Sequence, residues 1–320
     1  MSAPPHSQRP KALALLVVAS VFWGLSFPLI KSIMLTQARL LPGSGAWFIT
    51  AEALWPRFAL ALLLVAVLNF RALLTLTRSE WRQGLGLALF SATGLLFQID
   101  GLQRTAASTS AFLTQLYAIL IPVWLALRQR RNPGASVWLS VGLVLAGVAV
   151  LARLDWRDLR LGRGEAETLF SSVFFMGQIL WLERKEFASN RMLPMTAAMF
   201  AVAAAIFLGL ALVTAGRPAE LLVPWGSGAW VGFTLALTLA CTLGAFLIMN
   251  TWQPKITATE AGLIYCIEPV FASLFVLFLP AWLAKWGGFV YPNEVAGANL
   301  LLGGGLITAA NVLIQLKPPQ

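Results

Sequence analysis

Residues 87–113 read LALFSATGLLFQIDGLQRTAASTSAFL, and residues 237–263, 150 positions further on, read LTLACTLGAFLIMNTWQPKITATEAGL. The two lie on each other without a gap. Gly94 falls on Gly244, Gln103 on Gln253, Thr109 on Thr259, Ala111 on Ala261 and Leu113 on Leu263, while Asp100 meets its amide analogue Asn250. Shared leucine and alanine say little between two apolar tracts, whereas a glycine and several polar residues matching in order say more. A shift near half the chain length divides the protein into two similar halves; a solenoid would repeat every 20 to 50 residues or so.

The lipid bilayer is the expected setting. Of 320 residues, 58% are hydrophobic and 11% charged, with a mean hydropathy of +0.77, where a soluble chain carries about 25% charged residues. Cys241 and Cys266 sit inside apolar tracts and read as small buried side chains, so no disulfide frame or thiolate metal site is expected. The single histidine, His6, lies in a polar tail, which removes histidine-based catalysis and most zinc chemistry. No metal and no cofactor is expected. A net charge of +10 would suggest nucleic acid in a soluble protein. Here the basic residues occupy short joints between apolar tracts and orient the chain instead, so no nucleic-acid partner is expected.

Residues 1–11 form a short tail. Residues 12–30 are 19 uncharged positions, enough at about 1.5 Å of rise each to cross a hydrocarbon core of about 30 Å. The apolar run is long for a signal peptide and lacks a small-x-small cleavage site, so it is expected to be retained. Nine more spans fall near 50–70, 81–102, 106–127, 135–152, 165–182, 193–215, 226–250, 258–279 and 295–316, with Pro and Gly at the joints. The expected fold class is an all-α integral membrane protein of ten transmembrane helices in two five-helix repeats, residues 12–153 and 164–316.

With the N-terminus inside, thirteen Lys and Arg lie in inner segments and eight in outer ones, four of the eight (Arg153, Arg157, Arg160 and Arg163) in the joint between the halves, mixed with Asp155 and Asp158. The positive-inside rule then puts both termini in the cytoplasm. Five spans per half is an odd number, so the second half crosses in the opposite sense to the first. Inverted repeats characterise secondary transporters, whose substrate sites lie near the midplane where the halves meet.

Val21-Phe22-Trp23-Gly24 with Lys31 seven residues on, Arg57-Phe58, the run SAFLTQLYAILIPV at 110–123, and Ile267-Glu268-Pro269-Val270 resemble the EamA-type members of the drug/metabolite transporter superfamily. That resemblance implies four helices from each half around a central cavity, with the fifth of each at the periphery. Two features depart from the family pattern. The Gly-Glu often found after helices four and nine is replaced by Arg128-Gln129-Arg130-Arg131 and Leu279-Pro280-Ala281-Trp282, and the joint before helix ten is long. Its stretch AWLAKWGGFVYPNE is expected to lie at headgroup level.

An ionisable side chain at the bilayer centre costs at least about 2.5 to 3.5 kcal/mol on insertion scales, so it faces a cavity or a partner. Glu268 is the first candidate, beside Pro269, which would open the helix; its carboxylate is the candidate proton carrier. Arg57 is placed to hold a substrate carboxylate or to pair with Glu268 or Asp100. Lys31 lies near the outer end of helix one, with a stem long enough to snorkel to water; its counterpart after a shift of 152 is Glu183. Asp100 and Arg104 are expected to form a surface pair of about 0.3 to 0.5 kcal/mol. Gln98, Gln115, Tyr117, Gln178 and Tyr265 either join helices or line a polar cavity, and Trp23 offers a flat wall. Gly303-Gly304-Gly305 suits close helix contact, within the chain or across a homodimer.

The expected function is a secondary transporter that moves a small organic metabolite, an amino acid or related compound, by alternating access across the plasma or bacterial inner membrane. No Walker motif is present, which leaves the substrate gradient or protons as the energy source. The alternatives are an enzyme acting on lipid, for which no converging nucleophile, base or carboxylate pair is evident, and a structural membrane protein. A non-enzyme is expected.

Overall fold

The computed structural model describes residues 8–128, 130, 135–151 and 162–316; the joint with Asp155 and Asp158 lies outside them. The chain runs through α1 (Arg9–Leu40), α2 (Ala46–Leu74), α3 (Arg78–Leu102), α4 (Ala107–Thr114), α5 (Tyr117–Arg128), α6 (Ala135–Leu151), α7 (Arg163–Leu182) and α8 (Met192–Thr214). It continues through α9 (Gly228–Ala236), a π-helical segment (Leu237–Gly244), α10 (Ala245–Trp252), α11 (Ala258–Tyr265), α12 (Glu268–Gly287) and α13 (Ala298–Leu316). There is no strand among the described residues.

Among the described residues seven stretches are long and apolar enough to cross a membrane: α1, α2 to Arg71, α3, α4 with α5, α8, α9 through Lys255, and α12. Within α6 and α13 lie shorter apolar helices, Trp138–Leu151 and Ala298–Leu313. Large apolar side chains such as Val67, Phe70 and Val213 stand 61 to 84% exposed. A soluble monomer rarely shows so much apolar surface, and this is a lipid-facing one.

Local signals start the helices at one end of the bundle. Thr77 and Glu80 form a capping box on α3, with Glu80 N donating to Thr77 Oγ1 and Thr77 N donating to the Glu80 carboxylate. Thr257 and Glu260 do the same for α11. Each box satisfies donors a helix start leaves open and is worth about 1 kcal/mol. Glu80 is also where Arg191 lands, through Nε at 2.6 Å and Nη2 at 2.9 Å, tying the start of α8 to the start of α3.

In lipid, apolar burial does not separate helix from helix, so close packing and hydrogen bonds hold the bundle. The main contacts are α2 on α8, α3 on α7 and α8, α6 on α13, and α1 on α12 and α10. A Cβ on Gly147 would stand 2.8 Å from the carbonyl of Gly303, and one on Gly303 2.9 Å from that of Gly147. Glycine at both positions lets the backbones of α6 and α13 touch. Gly304 faces Phe112, so at these two positions the glycine run serves packing inside the chain.

Three spans expected as single helices are interrupted. The stretch 106–127 breaks at Gln115-Leu116, where Gln115 N and Leu116 N reach back only three residues. The stretch 258–279 breaks at Cys266-Ile267. There Pro269 lacks the N–H that would bond the Tyr265 carbonyl. The stretch 226–250 passes through the π segment. In the stretch expected at headgroup level, α12 continues through Ala281 to Gly287 and ends on Gly288, at φ 68° in the left-handed conformation glycine adopts freely.

Candidate functional site

The two breaks meet at one place. Tyr117 opens α5 and Glu268 opens α12, and both line a buried cavity of about 70 Å³ together with Trp23, Ser26, Arg57, Gln98, Thr114, Phe175, Gln178, Phe246, Met249 and Tyr265. Helices interrupted at mid-span present end groups and side chains that an unbroken helix would use up internally. A carboxylate at the first position of α12 stands where the helix dipole favours negative charge.

Glu268 is 6% exposed and Arg57 2%. The Arg57 Nε donates to Thr242 Oγ1 at 2.8 Å, while its Nη1 is buried without a hydrogen-bond partner. Arg57 was a candidate to pair with Glu268 or Asp100, and it does neither: no ion pair among the described residues includes Arg57 or Glu268. An acid and a base thus line one cavity without neutralising each other. Leaving a buried charge uncompensated costs several kcal/mol, and a ligand or proton arriving in the cavity offsets that cost.

Around these charges the polar side chains are held by one another. Gln98 Nε2 donates to Thr114 Oγ1 at 2.9 Å, and Tyr265 Oη donates to Gln253 Oε1 at 2.9 Å. Gln178 Nε2 lies 3.9 Å from Met249 Sδ. Trp23 stands edge-on to Tyr265 at 5.4 Å and to Phe246 at 5.9 Å, so the three rings form an angled aromatic cluster rather than a flat wall. The approach of α1 depends on Gly24, since a Cβ there would stand 2.8 Å from Ala272 N and 3.0 Å from the Glu268 carbonyl.

Two residues expected in the site stand outside the cavity wall. Gln115, fully buried at the first break, lies behind the wall, its amide adjoining the Glu268 carboxyl and the Tyr117 hydroxyl without completing a hydrogen bond. Lys31 does not snorkel to open water. Its Nζ donates to the Thr105 carbonyl at 2.7 Å, 6.0 Å from the Tyr291 ring, at the turn between α3 and α4.

That turn belongs to a latch across one end of the bundle. Thr105 Oγ1 donates to Glu165 Oε1, and the Ala107 amide and Ser108 hydroxyl donate to Glu294 from the segment before α13. The Asp100–Arg104 pair is corrected from a surface contact to a buried one: Asp100 is fully buried and takes Arg104 Nη1 at 2.8 Å and Arg163 Nη2 at 2.9 Å. Arg163 also holds Glu167 at 2.7 Å. At the opposite end, Arg9 pairs with Glu260 and Arg82 with Glu186.

Thr242 and Thr114 went unnoticed in the sequence because hydroxyls in an apolar tract give no charge signal. Glu52 was legible, as an acid six residues into α2. It is fully buried, with Oε2 accepting from Trp55 Nε1 at 2.6 Å and Oε1 without a partner.

Comparison with known proteins agrees on class. Residues 10–153 match the EamA-like transporter family. A protein of Archaeoglobus fulgidus described as an uncharacterized transporter is 24% identical over 303 residues, covering 93% of this chain and 85% of its own. A crystal structure 17% identical superposes over 97% of this chain and 98% of its own with a TM-score of 0.59, so the fold is one already seen in a solved protein.

Proposed function

We propose a cargo and a coupling ion for a multi-pass membrane transporter, a chain whose residues 10–153 belong to the EamA-like transporter family of the drug/metabolite transporter superfamily. It moves a small organic metabolite, an amino acid or related compound, by alternating access, with a proton carried on Glu268. The observation that carries this reading is Arg57 and Glu268 lining one buried cavity with no ion pair between them. A carboxylate binds the forked guanidinium, and an ammonium or a proton binds the acid.

Ten spans in two inverted halves, 12–153 and 164–316, with both termini cytoplasmic, complete the reading. Exchange of the halves would map α1 onto α7, α2 onto α8, α3 onto α9 with α10, α4–α5 onto α11–α12 and α6 onto α13. Three of the main contacts follow that exchange: α2–α8 and α6–α13 map onto themselves, and α3–α7 maps onto α1–α10. The capacity for movement follows from size. Sites for small molecules span about 300 to 1,000 Å³, so a cavity of about 70 Å³ must widen to take a metabolite. The latches at the two bundle ends are the contacts that would break in turn.

The test is reconstitution in liposomes with a panel of labelled amino acids, with and without an imposed pH gradient. Gradient-driven, saturable uptake is expected, and Glu268→Gln should abolish driven accumulation while sparing exchange. Driven accumulation unchanged in the variant would sink the proton role, and silence across the panel would sink the cargo.

A further inference from the structure

The helix that brings Phe246 and Met249 to the cavity wall departs from regular geometry just before them. In an α-helix a threonine hydroxyl reaches the carbonyl three or four residues back, and every other hydrogen bond of this kind among the described residues does so, from Ser20 on Leu16 to Thr251 on Leu247. Thr242 reaches five back, to the Leu237 carbonyl at 3.1 Å, inside the π segment Leu237–Gly244. The same hydroxyl accepts from Arg57 Nε at 2.8 Å. Its single proton goes to Leu237 and its lone pair to Arg57, so the guanidinium is held by a relay that depends on the wider turn.

The aligned stretch of the first half shows that this sequence pattern does not require a π-helix. Residues 87–94 align with 237–244, Leu on Leu and Gly on Gly, and lie within the regular helix α3, where Ala92 occupies the place of Thr242. What the second half has in addition is a hydroxyl and an arginine seated on it. Single-turn π segments inside α-helices occur often at functional sites.

We propose that Thr242 is a positioning residue for Arg57, and that the Arg57–Thr242–Leu237 relay holds the π segment and so fixes which face of α10 lines the cavity. Relaxing the segment to α would rotate all that follows by about 100°. Each residue would take the place of its successor, and Ile248 would replace Met249 on the cavity wall. An anionic group binding the unpartnered Arg57 Nη1 pulls on the same relay, so cargo at Arg57 is coupled to the register of α10. That last coupling rests on the transport reading above; the register claim does not.

The experiment separates the two. In a chain with Cys241 and Cys266 replaced by alanine, single cysteines at Met249 and Ile248 are labelled with the small water-soluble reagent methanethiosulfonate ethylammonium. With Thr242 intact, Met249→Cys should label at least tenfold faster than Ile248→Cys. Thr242→Val should reverse the order, and Thr242→Ser, which keeps the hydroxyl, should restore it; Thr242→Ala replaces the valine variant if that does not fold. An unchanged order without the hydroxyl overturns the proposal, whatever the liposome panel gives. With a carboxylate-bearing substrate in hand, Thr242→Val should raise KM about tenfold while the serine variant stays within about twofold. A KM unmoved by the valine variant overturns the coupling to cargo.

Discussion

In residues 87–113 the chain forms one regular helix that ends beside a buried aspartate clasped by Arg104 and Arg163. In residues 237–263 the matching chain passes through a π segment to Asn250, whose amide donates to Thr196 Oγ1 at 2.9 Å. Where the first has Arg104 the second has Pro254, in the middle of a short 3-10 turn, Gln253–Lys255. Both stretches then turn and enter an eight-residue helix that breaks beside the cavity. The shared pattern specifies scaffold, a helix, a turn, and a half-helix. Single differences, Ala92 for Thr242 and Asp100 for Asn250, decide whether a position is ionic or amide-held, regular or π-helical. Two similar halves can thus carry unlike chemistry at their two ends.

Making the second stretch ionic should have the largest effect. Asn250 is 4% exposed, Pro254 stands where the first stretch has Arg104, and Lys11 and Lys255 are engaged over the Trp252 ring. Asn250→Asp would bury a carboxylate without a counter-ion, and a loss of about 3 to 5 kcal/mol is expected. Thermal unfolding in detergent at pH 8 measures it, and a Tm equal to that of the parent would mean that the site tolerates charge.

The second comparison is between two acids, Asp100 of the first stretch and Glu183, which the second stretch packs against. Asp100 has two arginines, whereas Glu183, just beyond α7, lies near Gln253 and the Ala258 amide with no ion pair among the described residues, and its Oε1 is buried without a partner. Burial pushes the Glu183 carboxyl up to about 7, against the smaller pull of the nearby Ala258 amide and Gln253 side chain. A raised carboxyl binds more protons folded than unfolded, so stability should fall as pH rises from about 4.5 to about 7 and stay lower above it. Glu183→Gln should flatten that segment of the pH profile and gain on the order of 2 kcal/mol at pH 8. An unchanged slope would show that Glu183 is ionised at no cost.

Much of this architecture is legible in the sequence. The apolar tracts and their Pro and Gly joints gave the helices, since in lipid the backbone must satisfy itself within each span. Depth along a span was enough to bring Glu268, Arg57, Tyr117 and Trp23 to one cavity. Depth does not give rotation about the helix axis, which is why Gln115 lies behind the wall and Lys31 on a carbonyl. The break at Cys266-Ile267 carried a proline signal, but that at Gln115-Leu116 carried none. The π segment was invisible because its cause is Arg57, 185 residues away from Thr242.

Removing the ionic feature from the first stretch should have a smaller effect than adding it to the second. Asp100→Asn keeps the shape and a partial acceptor, and the arginines it releases are 29 and 55% exposed, so water takes them up. Loss of charge-assisted bonds to a buried acid, discounted for that solvation, comes to about 1 to 2 kcal/mol. If the latch holds one end of the bundle closed, the same variant should raise exchange across liposomes without raising driven accumulation. A rise in both would place the barrier elsewhere.

The smallest effect belongs to the two half-helix starts. Thr257 caps α11 from within its own stretch, while Ala106 has no capping side chain and α4 is capped from across the chain by Glu294. Thr257→Ala should therefore cost about 1 kcal/mol, felt at the start of α11 alone. Glu294→Ala should cost a similar amount but also release the segment before α13 from α4. Hydrogen exchange distinguishes them. The threonine variant should raise exchange only at residues 258–260, and the glutamate variant should raise it at 107–108 and again near 294. Protection lost at one place in both variants would mean that α4 is capped as locally as α11, and that the two stretches differ less than their bonds indicate.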